Sequence, residues 1–102
     1  MTDPQTEIAE LANAFIHMAN ARLTESNHTQ VAMALLAASA RFNAYIVAMG
    51  SGSPEQARAD ATENSAYLVQ HFQRTLAANL DDYIQNFGAY AAPPAGKFPP
   101  ST

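Results

Sequence analysis

From Val31 to Met49 the chain reads VAMALLAASARFNAYIVAM, an apolar run broken only by Ser39, Arg41 and Asn43. Val31, Leu35, Ala38, Phe42, Tyr45 and Met49 recur at spacings of three and four, which is one face of a helix. Ala32, Leu36, Ala40 and Val47 make a second stripe. The run therefore predicts a central helix covered on two faces, and the rest of the chain is arranged around it. Upstream, Ile8, Leu11, Ala12, Phe15, Met18 and Ala19 form one stripe of a helix over about 4–23. Asp3 is set to cap it and Pro4 to occupy its first position, where a missing N–H is no loss. Glu25 to Thr29 is a polar break, and Asn27 with Gln30 resembles a capping box that starts the central helix at about 28–49. Gly50 reads as its left-handed stop.

Ser53-Pro54-Glu55-Gln56 is the sharpest local start signal, and it opens a third helix over about 54–87. The second half of that helix is well patterned, with Leu68, Val69, Phe72, Leu76, Leu80, Tyr83 and Phe87 on one side. Between Ala57 and Ser65 only alanines are apolar, and Asp60, Thr62, Glu63 and Asn64 are weak or polar choices for a helix interior. The helix either bends near Thr62 to Ser65 or runs unbroken and overhangs the core; the unbroken form is favoured. Gly88 reads as its end. The proline-rich remainder predicts a disordered tail over 89–102, with residues 3–88 forming one helical domain.

The resulting fold class is all-α, three main helices in an up-down-up bundle whose long third helix is completed by dimerisation. The length of 102 residues supports a single domain that buries only about 60–65% of its unfolded surface, so a partner would add stability. Composition strengthens that expectation, since 48% of residues are hydrophobic and only 14% are charged. A net charge of −4 offers no basic patch, which argues against nucleic acid and against anionic membrane surfaces. The central helix has the length of a membrane span, but its alanine content and Arg41 near its middle argue against one, because an arginine there costs about 2.5–3.5 kcal/mol or more. Without cysteine there is no disulfide, thiolate catalysis or thiolate metal site. The amino terminus, MTDPQTE, has no secretory pattern, and a cytoplasmic protein is expected.

Candidate chemistry is sparse. His17, His28 and His71 are the metal candidates, and Glu25 with His28 has the Glu-x-x-His spacing of di-iron bundles, but the second pair and the further glutamates of such sites are missing. No metal, no cofactor and no catalytic residue are expected, and the chain is not read as an enzyme. Asp81 and Asp82, adjacent on a helix, point about 100° apart and read as a solvated face. Arg41, Asn43 and Tyr45 are the residues singled out as a ligand or buried polar site. Buried, Arg41 and Asn43 would need partners, with Glu7, Glu10, Asp81 and Asp82 as the acids for Arg41 and a helix end for Asn43.

Three segments, Ala40-Arg41-Phe42-Asn43-Ala44, Phe15-Ile16-His17-Met18-Ala19-Asn20 and Asn79-Leu80-Asp81-Asp82-Tyr83-Ile84, resemble a family of short uncharacterised bacterial proteins, a domain of unknown function. The resemblance covers roughly Phe15 to Phe87. It implies a compact helical fold and carries over no site. The functional expectation is a small cytosolic helical protein that acts by self-association, as a homodimer, or through an unknown protein partner. The alternative is a helical bundle that binds a small apolar or anionic ligand with Arg41 or Tyr45 at a pocket mouth.

Overall fold

The computed structural model describes residues 3–24 and 26–91. The described residues are helical almost throughout and contain no strand, so the fold is all-α. Three long helices, α1 (Pro4–Arg22), α2 (His28–Gly50) and α3 (Pro54–Gln85), are followed by a short α4 (Phe87–Ala91). The ends of the long helices fall within two residues of the pattern-based boundaries.

The starts of the helices differ in how their first amides are satisfied. Ser53 Oγ accepts from the Gln56 amide at 3.1 Å, with Pro54 at the first helical position, so the cap read from sequence is formed. Asn27 Oδ1 likewise accepts from the Gln30 amide at 2.8 Å and starts α2. Asp3 does not cap α1 with its side chain. Its backbone carbonyl accepts from Glu7 N at 2.9 Å, and its carboxylate is left to act on the helix dipole.

The turn after α2 also departs from the expectation. Gly50 is still helical, and the left-handed residue is Gly52, with φ of 87°. Ser51 ends the helix by donating from its amide to the Ala48 carbonyl and from Oγ to the Val47 carbonyl, at 3.3 and 3.0 Å. Gly52 then makes the reversal that a residue with a Cβ resists.

Helix α3 is continuous over 32 residues, with no interruption between Thr62 and Ser65. Its weak first half is held by strong local devices: the Ser53 cap, alanines at 57, 59, 61 and 66, and a one-turn bond from Gln56 Nε2 to Asp60 Oδ1 at 3.0 Å. Gly88 is not its stop. Asn86 leaves helical geometry at φ −111° and ψ 30°, and the chain re-enters a helix from Phe87 through Ala91. Residues 89–91 of the expected disordered tail are therefore helical, and its remainder, 92–102, lies outside the described residues.

The described residues divide into two units, one ending at Ala37 and the other running 38–91, with the division inside α2. In the first unit no described side chain is buried. In the second the packed pair of elements is α3 with α4, and again no described side chain is buried.

Candidate interaction surface

The apolar stripes predicted as core lie at the surface of the chain. On α1, Phe15 is 57% exposed; on α2, Phe42 is 67% exposed; on α3, Leu80 is 49% exposed. Ile8, Leu11 and Met18 share the first stripe, Tyr45 and Met49 the second, Phe72 and Leu76 the third, and all are exposed. Helical spacing explains their alignment: residues three and four apart project from one side, so each helix presents a continuous apolar strip. Scattered apolar residues are ordinary on a protein surface; here they form continuous strips, which makes these faces candidates for contact with another surface.

The polar groups inside these helices are satisfied locally. Asn43 Nδ2 donates to the Ser39 carbonyl at 2.8 Å and to Ser39 Oγ at 3.3 Å, one turn back on α2. It therefore does not bond a helix end, and it interrupts the apolar surface at little cost because its amide is already occupied. Asn79 repeats the arrangement on α3, donating to the Thr75 carbonyl at 2.8 Å. Arg41 and Tyr45 are both exposed and lie one turn apart on α2, while Asn43, two residues from each, projects from a different side. The three residues thus do not converge on one site. Two of the acids expected to face Arg41 are used elsewhere: Asp81 accepts from Gln85 Nε2 at 2.9 Å, and Asp82 accepts from Asn86 and Tyr90.

Asp82 is the centre of the most connected polar cluster among the described residues. Asn86 Nδ2 donates to its Oδ1 at 2.9 Å and to its carbonyl at 3.1 Å. The Tyr90 hydroxyl donates to its Oδ2 at 2.8 Å. Tyr90 also meets Tyr83 edge-on, with ring centroids 4.7 Å apart and planes at 77°. The Asp82 carboxylate, through this hydrogen bond first and its charge in addition, raises the Tyr90 hydroxyl above the ordinary tyrosine pKa; partial burial and the neighbouring Tyr83 act in the same direction. The sequence reading missed Tyr90 because it ended the helix at Gly88. The available signal was the seven-residue step from Tyr83 to Tyr90, two helical turns on one face.

Tyr67 and His71, again one turn apart on α3, stack with ring centroids 6.5 Å apart and planes at 16°. No group of three histidines, aspartates or glutamates among the described residues is placed to hold a metal ion. Glu25, the glutamate of the Glu-x-x-His pair, lies outside the described residues. By length and composition α2 is able to cross a membrane, a test that the core helix of a soluble protein also passes.

No curated protein and no solved structure matches the chain. A family model described as "Protein of unknown function (DUF3144)" matches residues 8–84, which take in the stripes of α1 and α2 and all but the last residue of α3. That match spans well over half of the sequence, and the chain belongs to the DUF3144 family.

Proposed function

We propose that this chain is an interaction protein that works by self-association, burying the apolar strips of its helices against a second copy, and that it performs no catalysis. The observation that carries the reading is the exposure of large apolar side chains along all three long helices, from Leu35 at 41% to Tyr67 at 69%. Burial of such side chains is the main favourable term in folding, each worth about 1.5–3 kcal/mol when fully covered. A chain of this size that leaves them in water has little to set against the entropy of ordering its helices.

The low charge content supports a protein surface as the cover. Lysine, arginine, aspartate and glutamate make up 14% of the sequence, far below what a solvated helix surface of this extent carries. A bilayer is the weaker candidate for α2, because Arg41 lies in the middle of that helix and α1 and α3 carry strips of the same kind. The ligand-binding alternative has no comparable support, since Arg41, Asn43 and Tyr45 do not face one another.

Light scattering during gel filtration, over about two decades of concentration around a micromolar dissociation constant, tests the reading. The expected mass is twice 10.9 kDa at the upper end of the range. A mass of 10.9 kDa throughout would overturn it.

A further inference from the structure

We draw no further inference here: the strongest candidate, the exposed apolar strip along the second half of α3 from Val69 to Ile84, is an unpartnered helix face, and nothing in the structure shows what covers it.

Discussion

The Tyr90 hydroxyl donates to Asp82 Oδ2 at 2.8 Å while its ring meets Tyr83 edge-on, and these two contacts fasten α4 to the end of α3. The bond joins residues eight apart across the break at Asn86. Asn86 occupies the other carboxylate oxygen, so Asp82 accepts on both sides and holds the break in one geometry. A charged acceptor makes such bonds shorter and stronger than neutral ones.

Alkaline titration should release α4. The pKa of Tyr90 is raised by the Asp82 carboxylate, so the protonated phenol is favoured in the folded chain and its contribution to stability is complete below the ordinary tyrosine value near 10. That contribution is lost as pH rises through the raised value, because the phenolate can no longer donate and is repelled by Asp82. Phenolate absorbance should show a late-titrating component, and Asp82→Asn should move it to lower pH. In Tyr90→Phe the late component should vanish and amide exchange should speed up in residues 87–91, with α1 and α2 unaffected. An unchanged exchange pattern in Tyr90→Phe would mean that the hydrogen bond does not hold α4.

Legibility in the sequence followed the range of the interactions. The stripe Val31, Leu35, Phe42, Tyr45 and Met49 and the Ser53-Pro54 start are local patterns, and they placed α2 and α3 to within two residues. Whether the Asp3 side chain would join its carbonyl in serving the first turn was not legible, because side-chain capping depends on the side-chain rotamer, which the residue type alone does not set. Gly50 and Gly52 were likewise equivalent as helix stops until the bonds of Ser51 fixed which one turns. The ligand-site reading of Arg41, Asn43 and Tyr45 treated polar residues in an apolar run as requiring distant partners. Asn43 found its acceptor on Ser39, one turn away, and spacing along a helix alone does not distinguish those outcomes.

The two glycines of the α2–α3 turn should respond in opposite directions to alanine. Gly50 is helical and Gly52 has φ of 87°, and around both a Cβ would meet only open space. Gly50→Ala should stabilise by about 0.5–1 kcal/mol through backbone entropy and propensity. Gly52→Ala should destabilise by about 1–2 kcal/mol because the left-handed conformation crowds its Cβ. Urea midpoints of the two variants, measured at one concentration, decide this; shifts in the same direction would contradict the assignment of the turn.

The caps of α1 and α3 make a similar contrast. Ser53→Ala removes the acceptor for the Gln56 amide and should cost about 1 kcal/mol, within the range for helix caps. Asp3→Ala removes no such bond and should cost only the interaction of its charge with the helix dipole, about 0.3–1 kcal/mol and screened by salt. Repeating both measurements at high salt separates them, since the Asp3 effect should shrink and the Ser53 effect should persist.

Thermal stability should depend on protein concentration. With the apolar strips of three helices exposed in the single chain, folding and association draw on the same surface, and the folded state gains stability by mass action as copies become available. For a dimer whose separated chains are largely unfolded, each tenfold rise in concentration adds about 1.4 kcal/mol to the apparent stability. In a chain of this length that moves the melting midpoint by roughly 5 °C per decade. Melting followed by circular dichroism between about 1 and 100 µM should therefore show a steady rise with concentration. A midpoint independent of concentration, together with a cooperative transition, would mean that the single chain covers its own strips.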